Sequence, residues 1–149
     1  MNALKLLESD HKKVKKLMGE IEPTTERGVK TREELFTKLR GELEVHEAIE
    51  EEIFYPALRE HPKAKDLVLE AYEEHNVVDM VMGEIEDVAF DDETWGAKFT
   101  VLKENLEHHI EEEESDMWKQ ARAVFDDDEL NELGDRMSAR KQELLGATR

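Results

Sequence analysis

Cysteine is absent from all 149 positions, which excludes disulfides, thiolate catalysis and iron–sulfur clusters. No apolar run approaches the ~18 residues needed to cross a bilayer, so no membrane-spanning helix is expected. The opening stretch MNALKLLESDHKKVKKLM meets charge within a few residues and has no apolar core or cleavage site. No export signal is therefore expected, and the cytoplasm is the expected compartment. Basic residues are scarce too: 21 Lys and Arg face 39 Asp and Glu, a formal charge of -18. Phosphate backbones are held by clustered, outward-facing Lys and Arg, so nucleic acid is not an expected partner. The one basic cluster, Lys12, Lys13, Lys15 and Lys16, reads as a solvated helix face that offsets acidic neighbours.

What is present is helix-forming sequence, sparsely interrupted. The length suits one domain with a real core. Only 3 prolines and 7 glycines occur, and breaks gather at a few places. The first spans residues 22–30, followed by Thr31-Arg32-Glu33-Glu34, a capping-box pattern that predicts a helix start. His61-Pro62 marks the second, and Phe90-Asp91-Asp92 the third, with an Asp available as N-cap. Asp126-Asp127-Asp128 is the fourth and leads to a shorter terminal helix ending near Gly146. No strand pattern competes. The expected fold is all-α: an antiparallel up-down four-helix bundle over residues 1–125, with a short extra C-terminal helix over 126–149 packed on it.

Each long helix carries an inward stripe with steps of three and four residues. In the first it is Leu4, Leu7, His11, Val14, Met18 and Ile21; in the second, Phe36, Leu39, Leu43, His46, Glu50, Ile53 and Ala57. The third runs Val68, Ala71, His75, Val78, Met82, Ile85 and Ala89, and the fourth Trp95, Phe99, Leu102, Leu106, His109, Glu113 and Met117.

Every stripe thus holds one histidine where an apolar residue belongs, and two also hold a glutamate. A single buried histidine is ordinarily a hydrogen-bonded core residue. Four at once, joined by two glutamates that would repel each other and cost several kcal/mol to bury unpaired, call for a cation. His46 and Glu50 lie one turn apart on one face, as do His109 and Glu113. Counted from the intervening loops, the histidine levels coincide to within about one turn of an up-down-up-down bundle. His108 and Glu112 share the same spacing, but their stripe of Lys98, Val101, Asn105, His108 and Glu112 is too polar to face a core. His108 reads as a flanking residue and His61 as a loop residue beside Pro62.

A thiolate-free set of imidazoles and carboxylates suits iron, manganese or zinc. Two octahedral ions need about twelve donor positions; four His and two bridging Glu fill about eight, and a solvent-derived oxo or hydroxo bridge would add two. About two positions are then left for a small ligand.

The pattern Asp10-His11, then His46-Glu47-Ala48-Ile49-Glu50-Glu51 running into Ile53-Phe54-Tyr55-Pro56, then Glu74-His75, then His109-Ile110-Glu111-Glu112-Glu113-Glu114 resembles the hemerythrin-like HHE cation-binding domain over about residues 1–125. The resemblance implies a di-iron, oxo- or hydroxo-bridged centre with His11, His46, His75 and His109 as terminal ligands and Glu50 and Glu113 as bridging carboxylates. Oxygen-carrying hemerythrins have a second histidine four residues after the one on the third helix, where this chain has Asp79, and they space the fourth-helix carboxylate differently. Reversible oxygen carriage is therefore not implied. The ligand set is closer to the di-iron domain of iron–sulfur cluster repair proteins, whose cysteine-bearing N-terminal segment has no counterpart in this cysteine-free chain, so repair is not implied either.

Three functions stay open on this reading. One is binding or sensing of oxygen, nitric oxide or peroxide at the open iron positions. Another is an enzyme with catalase/peroxidase-like or nitric oxide reductase activity, and the third an iron buffer or storage protein. Asp79 is expected at the surface or in an ion pair, and Tyr55 and Tyr72 in core packing. Leu130, Leu133, Met137 and Leu144 give the terminal helix an apolar side that would cover the bundle or a second subunit, leaving monomer and homodimer both open.

Overall fold

Asn2 starts the first helix, its side chain accepting the Leu4 backbone N–H at 2.7 Å. The helix, α1 (Ala3–Ile21), opens a computed structural model that describes residues 1–147. The chain turns through a short 3₁₀ segment, Glu26–Gly28, into α2 (Val29–Ile49), which runs through a π-helical segment, Glu50–Phe54, into α3 (Tyr55–Arg59). The third rod is α4 (Lys65–Glu86). The fourth is α5 (Trp95–Glu112), continued by a second π segment, Glu113–Met117, into α6 (Trp118–Val124). The last, α7 (Asp127–Ala147), has 21 residues, as many as α2. Thr148 and Arg149, the end of the expected terminal unit, lie outside the described residues. Among the described residues no helix is long and apolar enough to cross a membrane.

Two of the sequence-derived starts shift, and at the third break the N-cap is Thr94, not an Asp, with α5 starting at Trp95. The helix expected at Thr31 begins earlier, at Val29 behind Gly28, so Thr31 lies inside it. Arg32 is buried: its guanidinium donates to Thr24 Oγ1, Thr24 O and Phe90 O and lies 4.3 Å from the Trp95 ring centroid, tying two loops at one end of the bundle. At the fourth break the acidic run does cap. Asp126 Oδ1 accepts the Glu129 N–H at 2.8 Å, and Glu129 Oε1 accepts the Asp126 N–H at 3.1 Å, a reciprocal capping box.

The inward stripes are buried as their spacing requires, with exceptions that have clear causes. Ala89 lies beyond the end of α4 and is exposed. After Glu50 the core positions are Phe54, Tyr55 and Leu58, while Ile53 and Ala57 are only half-buried. The π segment closes a wider turn, with the Tyr55 N–H donating to Glu50 O, and so advances the inward face by one residue. Pro56, which has no N–H to offer, is the one sequence signal for this irregularity.

The apolar core falls into two clusters. One includes Val14, Met18, Phe36, Leu39, Trp95, Phe99 and Leu102. The other includes Leu7, Phe54, Leu58, Val68 and Trp118, with Leu130, Leu133 and Met137 from α7. Where the two clusters meet along each rod lie the histidines and glutamates. A polar layer buried between two apolar plugs is thereby shielded from water along the bundle axis.

Candidate metal centre

One rod supplies His11 (α1), a second His46 (α2) and Glu50, a third His75 (α4), and the fourth His109 (α5) and Glu113. All six are buried, with Glu50 fully inaccessible and the most accessible, His46, only 5 % exposed. The structure brings all of them together. His11 Nε2 is 3.1 Å from Glu113 Oε1, and His46 Nε2 is 3.1 Å from Glu50 Oε1. On the other side His75 Nε2 is 3.3 Å from Glu50 Oε1 and 3.3 Å from His109 Nε2, which is 3.4 Å from Glu113 Oε2. The donors form two sets, His11, His46, Glu50 and Glu113 on one hand and His75, His109 and Glu50 on the other. Glu50 and Glu113 face both sides. Each opens a π segment, a local widening that recurs at functional sites.

The outer edge of each imidazole is held by a carboxylate. His11 Nδ1 donates to Glu114 Oε2 at 2.7 Å, and His46 Nδ1 to Asp10 Oδ2 at 2.9 Å. His75 Nδ1 donates to Glu51 Oε2 at 2.9 Å, and His109 Nδ1 to Glu74 Oε1 at 2.7 Å. With its proton on Nδ1, each neutral ring presents an Nε2 lone pair to the interior, the orientation a metal-binding histidine needs. Sequence reading quoted these four acids as parts of motifs without assigning them this work. It could not have paired them: Asp10 serves His46, not adjacent His11, and Glu74 serves His109, not adjacent His75.

This interior matches a cation. His11 Nε2, His46 Nε2, both oxygens of Glu50 and Glu113 Oε1 are buried without a hydrogen bond of acceptable geometry. Two imidazole lone pairs and a carboxylate crowded to 3.3 Å repel one another unless something positive lies among them. Donors bound to one ion at about 2.1 Å and roughly a right angle lie about 3 Å apart, close to the spacings observed. Without metal, protons take that role. Burial opposes charge on His75 and His109, yet the adjacent Glu50 and Glu113 carboxylates respectively outweigh it and raise the two imidazoles to about 9 and about 10. His46 is raised too, burial being overcome by Glu50 and Asp10. Burial disfavours the Glu113 carboxylate as well, but the neighbouring Glu50, His109 and His11 side chains prevail and hold it well below the usual range.

One residue expected in core packing does more. Tyr55, fully buried, donates its hydroxyl to Glu113 Oε2 at 2.6 Å and lies 3.4 Å from His75 Nε2. Burial and the nearby Glu113 and Glu50 charges raise this phenol well above its ordinary value, so it is a proton-bearing donor. The π segment turns it inward, and only Pro56 hinted at that. Tyr72 stays peripheral, half-buried with its hydroxyl 3.4 Å from Glu51 O. Trp118 stacks on His11 with centroids 5.7 Å apart.

The remaining candidates lie outside the centre. His108 is solvent-facing, 3.2 Å from Glu112 and 3.8 Å from Glu74. His61 packs against Phe125 in its loop. Asp79 is exposed and bonds Glu47, whose carboxyl is pushed up to about 8 by burial and then by Asp79.

Comparison with known proteins agrees with this geometry. The hemerythrin HHE cation binding domain family matches residues 2–121. Uncharacterized proteins of Mycobacterium tuberculosis (Rv2633c, strain H37Rv) and Mycobacterium bovis (Mb2666c) are each 33% identical over 154 residues, covering 99% of this chain and 89% of theirs. A crystal structure of a hemerythrin HHE cation binding domain-containing protein from Mycobacterium kansasii, the Rv2633c homologue, superposes with a TM-score of 0.87 at 30% identity, over 99% of this chain and 89% of that one.

Proposed function

The chain belongs to the hemerythrin HHE cation-binding domain family, and we propose that its buried histidines and glutamates hold two iron ions at which oxygen, nitric oxide or peroxide is bound or sensed. The observation that carries this reading is the set of buried donor atoms that divides into two groups sharing Glu50, five of those atoms being without a hydrogen bond. His11 and His46 would hold one ion and His75 and His109 the other, with Glu50 and Glu113 between them. Four imidazole nitrogens and up to four carboxylate oxygens fill about eight of about twelve positions on two six-coordinate ions, which leaves room for a small guest. Iron, when bound, supplies those open positions and one-electron redox chemistry.

The protein's own part is arrangement and exclusion. Four carboxylates fix the imidazole tautomers, and two glutamates offset part of the added charge. A small, largely enclosed cavity walled by Val14, Leu43, Leu106 and Ile110 lies against the histidines. At about 10 Å³ it has room for about one water-sized guest and excludes organic substrates. An enzymatic reading, peroxide breakdown or nitric oxide reduction, is favoured by one observation: the Tyr55 hydroxyl is a buried, proton-bearing group at the centre.

Elemental analysis and the near-ultraviolet and visible spectrum of protein reconstituted anaerobically with ferrous iron test the proposal. Two irons per chain and charge-transfer bands that change on adding peroxide or nitric oxide are expected. Fewer than one iron per chain, or bands indifferent to both reagents, would refute it. Sustained consumption of excess peroxide, or of nitric oxide with a supplied reductant, would select the enzymatic reading over binding.

A further inference from the structure

We infer that Lys141, carried by the C-terminal helix, is a positioning residue for the metal centre, fixing Asp10 against His46 and placing a positive charge on the His11–His46 side alone. The inference rests on the two-iron reading above and adds an asymmetry to it. Lys141 Nζ lies 2.6 Å from Asp10 Oδ1, and the other oxygen of the same carboxylate accepts His46 Nδ1–H at 2.9 Å. The chain of contacts is withdrawn from solvent, with the Lys141 side chain 15% and the Asp10 side chain 3% exposed. Among the described residues, the other three carboxylates that orient the imidazoles, Glu114, Glu51 and Glu74, have no lysine or arginine within ion-pair distance. Lys141 also lies beyond residues 2–121, the span matched by the family.

The helix is held where this contact requires it. Leu130, Leu133 and Met137 are buried in the core cluster, and Met137 is one turn before Lys141 on the same face. Arg140 Nε reaches Glu52 Oε1 at 3.0 Å, anchoring the helix to the π segment that begins at Glu50. Gly134 lies so close to the Met1–Ala3 backbone that any Cβ would overlap it.

This ammonium, largely withdrawn from solvent, has two effects on His46. It orients the Asp10 carboxylate, and so the ring. It also draws charge from that carboxylate, making His46 a weaker donor than the three histidines whose partners are unopposed. A fixed positive charge beside one ion disfavours the more highly charged ferric state there, so an iron held by His11 and His46 would be the more easily reduced.

The test compares iron-reconstituted wild type, Lys141→Met and Lys141→Arg by potentiometric titration followed at the charge-transfer band, with the exposed Lys12→Met as control. A lower midpoint potential in Lys141→Met, with Lys141→Arg and Lys12→Met close to wild type, is the expected result. Should Lys141→Met fail to retain iron, retention by Lys141→Arg supports the ion-pair role, and loss from both overturns it. Identical potentials and spectra in wild type and Lys141→Met, each holding two irons, overturn this inference alone. A wild-type chain that takes up no iron overturns the metal reading and this inference with it.

Discussion

Replacing Tyr55 by Phe removes one oxygen from the centre of the protein and leaves the shape of the ring intact. That hydroxyl donates to Glu113 Oε2 at 2.6 Å, in a place water does not reach. The packing partners of the ring, with centroids at 6.0 Å for Phe54, 5.3 Å for Tyr72 and 5.4 Å for His75, accept Phe equally well. The loss is therefore one hydrogen bond to a charged group, worth about 1.5–3 kcal/mol. In a domain of about this size each kcal/mol moves the midpoint of thermal unfolding by about 2–4 °C, so the metal-free variant should melt about 3–12 °C below wild type. Circular dichroism melting of the two metal-free proteins at pH 7 reads this directly. Tyr72→Phe is the internal control: its hydroxyl is 3.4 Å from a carbonyl at the half-buried edge, so it should shift the midpoint far less. Equal melting of wild type and Tyr55→Phe, or a larger drop in Tyr72→Phe, would refute the assignment of Tyr55 as a donor to Glu113.

Glu50→Ala removes the carboxylate common to both donor sets, and iron content after reconstitution should fall from two per chain to one or none; an unchanged content would count against the site. The metal-free protein should be most stable in mildly acidic solution. The imidazoles of His75 and His109 are raised to about 9 and about 10, so their contribution is complete below the unfolded value of about 6.5 and is lost as pH climbs through the folded values. Its melting temperature should fall between about pH 7 and about pH 10, and a level profile would contradict the proton-filled centre. The metal-loaded protein should instead lose iron on acidification, as protons compete for the same nitrogens, with release followed by equilibrium dialysis. Leu58→Ala should cost about 2–5 kcal/mol in chemical denaturation, and half-buried Ile53→Ala clearly less; the reverse order would mean the π segment does not reset the register.

The inward faces of the bundle were legible because a helix repeats every 3.6 residues, and burial of a face leaves a periodic mark in the sequence. That periodicity separated His109 and Glu113 from the neighbouring pair, His108 and Glu112, and the structure buries the first pair while leaving His108 in solvent. It failed past Glu50, where a wider turn broke the period and turned Phe54, Tyr55 and Leu58 inward in place of Ile53 and Ala57. The expected capping box at Thr31 failed for a different reason. Arg32 found buried partners in Thr24, Phe90 and Trp95, and those tertiary contacts outweighed a local preference for where α2 begins.

By itself the sequence determined that the chain is a helical bundle, and which faces of its four long rods point inward, because both follow from local spacing and composition. Tertiary structure alone decided which carboxylate meets which imidazole. Asp10 passes over its neighbour His11 to reach His46, Glu74 passes over His75 to reach His109, and Lys141 meets Asp10 across 131 positions. Such pairings depend on the rotation and axial offset of one rod against another, which are set by the packing of whole faces and leave no mark in the order of residues along any single helix.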